Sequence, residues 1–168
     1  MSLNEPRFHS YSPGVIGKII EAHAVYYHDN WGFDVTFETQ VGRELSDFVV
    51  EFQEDRDGFW VATMRERFAG SIAIDGREAS TEGARLRWFI VVPDLQGTGI
   101  GKSLLGRAVE FCRERGYRRV YLWSFKGLDV ARGLYERYGF RLCKERQVAQ
   151  WGQNLTEQMF ESRLKDQA

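Results

Sequence analysis

The stretch Leu86-Arg87-Trp88-Phe89-Ile90-Val91-Val92-Pro93-Asp94-Leu95-Gln96-Gly97-Thr98-Gly99-Ile100-Gly101-Lys102-Ser103 decides the fold. Leu86 to Val92 reads as an apolar strand and Pro93 ends it. A glycine-rich turn then opens an amphipathic helix running from about Gly99 to Arg115. Gly97, Gly99 and Gly101, at alternate positions, leave backbone N–H groups uncovered where the helix begins. Orphan amides and the positive end of the helix dipole together make a seat for a phosphate.

Two familiar phosphate loops fail on spacing. A P-loop, G-x-x-x-x-G-K-[ST], shares Gly101-Lys102-Ser103 but needs a glycine where Gln96 stands. The next strand, Arg118 to Phe125, also lacks the terminal aspartate a magnesium site wants. A dinucleotide fingerprint needs G-x-G-x-x-G, whereas the glycines here read G-x-G-x-G with no acidic residue about twenty positions on, near the end of a second strand.

Working outward, the chain alternates helices and strands. Residues 1–10 read as a loose polar leader, and residues 11–166 as one domain with no repeats or linkers. A first helix is expected over Val15 to Tyr27, followed by the turn cluster His28-Asp29-Asn30-Trp31-Gly32. A second helix, Phe37 to Phe52, carries Phe37, Val41, Leu45, Phe48 and Phe52 at helical spacing. Phe59 to Met64 and Gly70 to Ile74 read as strands around the turn Arg65-Glu66-Arg67. After a loop come the phosphate-loop unit, the strand at 118–125, a short helix, and two closing strands near 140–149 and 157–164.

Composition narrows the class. The 168 residues are 43% hydrophobic and 14% aromatic, too apolar for disorder and enough for one sizeable core. A formal net charge of −1 gives no reason to expect a nucleic-acid or anionic-membrane partner. No apolar run approaches the roughly 20 residues that span a bilayer. Cys112 and Cys143 are too few for a disulfide framework and show no metal-type spacing, so no metal is expected and a reducing cytoplasm is the default setting.

Gln96-x-x-Gly99-x-Gly101 resembles the [QR]-x-x-G-x-[GA] acyl-coenzyme A signature of the GNAT superfamily of N-acetyltransferases. Ala131-Arg132-Gly133-Leu134-Tyr135-Glu136-Arg137-Tyr138-Gly139-Phe140 is similar to that family's A-x-x-L-Y-[EK]-x-x-G-F segment, and the likeness is strong over residues 84–142. The flanks narrow it further. Tyr11-Ser12-Pro13-Gly14, Tyr26-Tyr27, Trp31-Gly32-Phe33, Phe37-Glu38 and the tail Trp151 to Glu161 look like the acetyltransferase half of bacterial proteins that fuse a MarR-type regulator to a GNAT domain. No winged-helix segment is present, so no DNA partner follows.

The resemblance implies an α/β (α+β mixed) fold, with a mostly antiparallel sheet, one splayed parallel strand pair and flanking helices. It implies acetyl-CoA as cosubstrate. The pyrophosphate would lie on Gln96, Gly97, Thr98, Gly99, Ile100, Gly101, Lys102 and Ser103, and the pantetheine arm along the backbone of Phe89, Ile90, Val91 and Val92. A primary amine, from a small molecule or a peptide, would attack the thioester directly in a ternary complex. Tyr135 is the implied general acid for the departing thiolate; periodicity alone reads it as core, beside Val130, Ala131, Leu134 and Tyr138. The family often carries an asparagine where Leu128 stands here, which removes one cofactor-orienting contact.

The signature strand holds no carboxylate, and Glu82 falls in the loop before it. In the family the first two helices usually wall the acceptor pocket, so the resemblance points to Glu38, at the start of the second helix, as base or acceptor contact, with a helix first-turn acid as its equal alternative. His23 and His28 are weaker candidates. Trp31, Phe33 and Trp60 are aromatic candidates for an acceptor pocket, with core packing the commoner reason for such residues. A homodimer fits the family's habit. The rival reading is a non-catalytic acyl-CoA-binding or regulatory module of the same fold.

Overall fold

The computed structural model describes Ser2 and residues 4–165. Strands β1 (Arg7–His9), β2 (Gly58–Met64), β3 (Arg67–Asp75), β4 (Ala84–Val91), β5 (Arg119–Phe125), β6 (Arg141–Gln150) and β7 (Gln153–Arg163) form one sheet in the order β1-β2-β3-β4-β5-β7-β6. Neighbours run antiparallel except β4 and β5, which are parallel. Helices α1 (Val15–Trp31), α2 (Val35–Val50), α3 (Ile100–Glu114) and α4 (Asp129–Arg137) cover the sheet. This is the expected α+β arrangement. None of the helices is long and apolar enough to cross a membrane, among the described residues.

Alternation along the central strands sorts the core into two layers. Ala62, Ile72 and Ile74 turn towards α3, where Leu104, Leu105, Ala108 and Cys112 are buried with Tyr135 and Phe160. Val61 and Ala73, adjacent to them in sequence, turn the other way onto Val15, Ile19, Leu45 and Phe48 of α1 and α2.

Several boundaries differ from the sequence reading, each for a local reason. His28 to Trp31 is the last turn of α1, not a turn cluster. The chain leaves the helix only at Gly32 (φ 71°), whose N–H donates to the His28 carbonyl while that of Phe33 reaches the Tyr27 carbonyl. The second helix starts earlier than Phe37 because Asp34 caps it, accepting from the Thr36 N–H at 2.9 Å. Within the stretch expected to be a loose leader, Arg7–His9 pairs with Thr63 to Val61 of β2. β7 begins at Gln153, four residues before the expected start, because Trp151 and Gly152 (φ 53° and 79°) form a tight hairpin with β6.

The feature that shapes the site is the gap between β4 and β5. They pair only at Ala84↔Val120 and Arg85↔Tyr121. On its other edge β4 carries a bulge: Ala73 faces Arg87 but Ser71 faces Ile90, so Trp88 and Phe89 oppose Ile72 alone. Trp88 takes φ 47°, a left-handed conformation rare for a bulky residue. The buried Ser71 hydroxyl fixes it by donating to the Trp88 carbonyl at 2.8 Å. A bulge bends its strand, so β4 turns away from β5 and its β5-facing edge beyond Arg85 is left without a strand partner.

Candidate active site

The phosphate-seat reading begins at α3. Gly99 caps the helix in the left-handed region (φ 92°), and Gly97 is also left-handed (φ 81°). Open space lies where a Cβ would stand on either. The N–H groups of Ile100, Gly101 and Lys102 have no acceptor within the helix, and no acidic side chain occupies the first turn. Gly101 serves packing instead: its Cβ position lies 3.5 Å from Leu134, Phe89 and Val91. The loop is held down by the Gln96 amide, which donates to the Val91 carbonyl at 3.2 Å, and by the Thr98 hydroxyl, which donates to the Leu95 carbonyl at 2.6 Å.

Gln96, Gly97, Gly99, Gly101 and Lys102 line one cavity of about 820 Å³ together with Phe89, Ile90 and Val91. The facing wall comes from the segment Gly127 to Arg137 and the end of α1 at Tyr26 to Trp31. Three residues named for the cofactor lie off this cavity, and Ile100 offers it only a backbone N–H. Thr98 and Ser103 do not line the cavity, and the Ser103 N–H is spent on the Gly99 carbonyl at 3.0 Å. Ile100 is core, and Val92 borders a neighbouring hollow with its N–H on the Ala69 carbonyl at 2.9 Å.

A second cavity, about 240 Å³, meets the first at Tyr27, Phe89, Leu128 and Ala131. Tyr135 lines it, only 7% exposed, within 5.9 to 6.1 Å of the Phe89, Phe140 and Phe160 rings. Burial pushes its hydroxyl well above the ordinary phenol range, so it is a proton-bearing donor at neutral pH. His23 is buried beside Tyr27 with Nδ1 2.8 Å from the Ile19 carbonyl, a contact that assigns the proton to Nδ1 and the lone pair to Nε2. Desolvation lowers its pKa to about 4, so the ring is neutral.

The cavity's carboxylates are partnered. Glu44 pairs with Arg87, which also lies 3.7 Å from Asp75 and stacks over Trp88. Glu157 accepts from Arg146 at 2.6 Å. Arg85, also on the wall, forms no ion pair among the described residues, and its Nε is buried without a hydrogen-bond partner.

Other candidates fall away from this wall. Glu38 is exposed on α2 and Glu82 is exposed in the loop before β4; neither lines a cavity described here. His28 meets the Phe33 carbonyl at 3.0 Å near the α1 cap. Phe33 is core, Trp60 packs on Phe111 beneath α3, and Trp31 borders the larger cavity. The sequence reading missed Glu44, Arg85 and Glu157. A signal for Glu44 was present: Gln40 and Glu44 flank Val41 on the stripe that carries Phe37 and Phe48, whereas Glu38 lies about 100° round the helix from Phe37.

Comparison with known proteins agrees with the geometry. The model of the acetyltransferase (GNAT) family matches residues 21–140. An uncharacterized N-acetyltransferase of Methanocaldococcus jannaschii is 35% identical over 92 residues, 52% of this chain and 41% of that protein. N-acetyltransferase 8B of Homo sapiens is 33% identical over 86 residues, 49% of this chain and 38% of that protein. The matched stretch thus spans about two-fifths of these relatives. A GNAT-family acetyltransferase from Staphylococcus aureus has the same fold at TM-score 0.77 and 18% identity, covering 96% of this chain and 100% of that one. The alpha-N-protein acetyltransferase RimL in complex with coenzyme A superposes at TM-score 0.74 and 12% identity, covering 96% of each chain. A wedge opened by a bulged strand, a glycine cradle at a helix start, and a match over more than two-thirds of the sequence place this chain in the GNAT acetyltransferase family.

Proposed function

We propose that this protein transfers the acetyl group of acetyl-CoA to a primary amine by direct attack in a ternary complex. The observation that carries the reading is the junction of the two cavities at Phe89, Leu128 and Ala131. It joins the glycine cradle to the wall where Tyr135 sits. The residues present fit the cosubstrate: Gly97 and Gly99 leave room for phosphate oxygens, the first-turn amides of α3 donate to them, and Lys102 adds charge. The pantetheine arm is rich in amides and extends along the open edge of β4, as an added strand would.

An amine of pKa about 10.4 attacks through its small neutral fraction at physiological pH. Its nitrogen bonds to the thioester carbonyl carbon, the C–S bond breaks, and the sulfur leaves as thiolate. Tyr135 donates to that sulfur as its charge grows. The nitrogen becomes strongly acidic once the C–N bond forms, so a weak base suffices, and the Nε2 of the neutral His23 takes that role in place of Glu38. The products are an N-acetyl amine and free coenzyme A. The kinship of the flanks to MarR–GNAT fusion proteins, a cytoplasmic setting and a homodimer belong to the same reading and rest on family likeness.

The test is thiol release from acetyl-CoA across a panel of small amines and short peptides. Turnover on at least one amine, with a rate that rises with pH, is the expected result. Coenzyme A binding with no turnover on any of them would favour the non-catalytic module instead.

A further inference from the structure

Two carboxylates and two arginines line the acceptor cavity, but they are not paired with one another one to one. Glu44 and Glu157 are each bound to an arginine, Arg87 and Arg146, and so have little to offer an incoming cation. Arg85 has no such partner among the described residues. It stands on β4 at the last pairing with β5, Arg85↔Tyr121, where the wedge is still closed. Arg85 is half-buried, and its Nε–H, which is buried and unbonded, is costly to build into a wall because a buried donor left unmade loses its hydration for nothing. Its neighbour adds to the deficit: Arg87 is pushed below the usual arginine range by burial first and by Arg85 second. An anion entering the cavity would relieve both.

We propose that the acceptor is a small amine that also bears a carboxylate, of the free α-amino acid class with an apolar side chain, and that Arg85 holds its carboxylate. This rests on the acetyltransferase reading above. The planar fork of arginine matches a carboxylate in two parallel hydrogen bonds, which a lysine at the same place would not supply. Position agrees with the chemistry. Arg85 lies four residues before Phe89, at most about 13 Å along the bulged strand, and both line the same cavity, Phe89 at the junction where the thioester would arrive. The carboxylate end therefore points to the closed end of the wedge and the amine end to Tyr135.

Size and lining set the rest. A cavity of about 240 Å³ takes one amino-acid-sized body, and Phe37, Val41, Trp88, Val148, Trp151 and Leu155 give it apolar walls. A polyamine or a polycationic antibiotic would bring like charge to Arg85 and is excluded by the same argument that admits a carboxylate. A peptide N-terminus offers an amide where the amino acid offers an anion, and it leaves Arg85 unpaired.

L-Phenylalanine and L-methionine, each beside its carboxamide, are titrated calorimetrically into the coenzyme A-loaded protein, wild type and Arg85→Met. The acids are expected to bind roughly tenfold to a hundredfold more tightly than the amides in the wild type, a ratio that collapses towards one in Arg85→Met. Arg85→Lys keeps the charge without the fork and should retain a reduced preference, so the test stands even if Arg85→Met folds poorly. Equal binding of acid and amide, a preference that survives Arg85→Met, or no binding of either acid overturns the proposal. Turnover is then followed with the same pairs and with a peptide. Acetylation of the peptide or the amides in preference to the acids also overturns the proposal while leaving the transferase reading intact. Arg85-dependent binding without turnover does the reverse.

Discussion

A single hydroxyl, that of Tyr135, is asked to do the leaving-group chemistry, and its surroundings define what its removal should change. The ring is enclosed by Phe89, Phe140 and Phe160 and the residue is buried, so Tyr135→Phe deletes one oxygen from a site that keeps its shape. A positioned acid contributes roughly 10²–10⁴-fold. The variant should lose that factor in kcat while its affinity for coenzyme A and its melting temperature stay close to wild type. A rate within a few-fold of wild type would show that the sulfur leaves unaided. At this scale sequence and structure diverge in an instructive way. The position of Tyr135 on α4 was legible because a motif fixes both its helix and its offset. The wall of the smaller cavity was not, because Glu44, Arg85 and Glu157 come from α2, β4 and β7 and meet only when the sheet is assembled. Glu38 follows from the family's use of the first two helices as a pocket wall, yet a helix turns about 100° between neighbours and carries Glu38 outward from the face that holds Phe37.

At the scale of elements, the start of α3 is where backbone geometry and charge act together. Gly99 sits at φ 92°, so even Gly99→Ala carries backbone strain of about 1 kcal/mol or more. Gly99→Asp adds a charge of the same sign as the pyrophosphate. One like charge at 4 Å and an effective dielectric of about 20 costs about 4 kcal/mol, a loss of about a thousandfold in affinity. Calorimetry of coenzyme A binding should therefore rank wild type, Gly99→Ala and Gly99→Asp in that order, with the alanine variant much nearer wild type than the aspartate. If the two variants weaken binding equally, strain alone explains the loop and the pyrophosphate lies elsewhere. Strand and helix identities here were readable because strand periodicity, proline, glycine and helix periodicity follow one another without conflict. The bulge at Trp88 was not, since its residues look like any buried strand. What makes it is the register against Ser71 and Ala73, a long-range property.

Across the whole molecule, burial of one imidazole should leave a mark on stability. His23 is 5% exposed, held by the Ile19 carbonyl, and its pKa is lowered from 6.5 to about 4 by desolvation. Between those two values the unfolded chain binds a proton that the folded protein refuses, so stability is complete above about pH 6.5 and drains away as pH falls towards 4. The full loss amounts to about 3 kcal/mol, a sizeable part of the stability of a domain this size. Asp75 acts in a separate, more acid window: its carboxyl is held below the ordinary range chiefly by the Arg77 guanidinium, against the opposing effect of burial, so its contribution persists above its unfolded pKa and is lost only as pH falls through the folded one. Urea unfolding of wild type and His23→Gln at intervals from about pH 2 to 8 separates the two groups. The wild-type free energy should slope upward between pH 4 and 6.5 and level off above it, while His23→Gln should be nearly flat over that interval and still fall at lower pH. Parallel curves for the two proteins would mean that His23 takes up a proton inside the fold, and it would then stand beside Tyr27 as a cation rather than as the neutral base assigned to it.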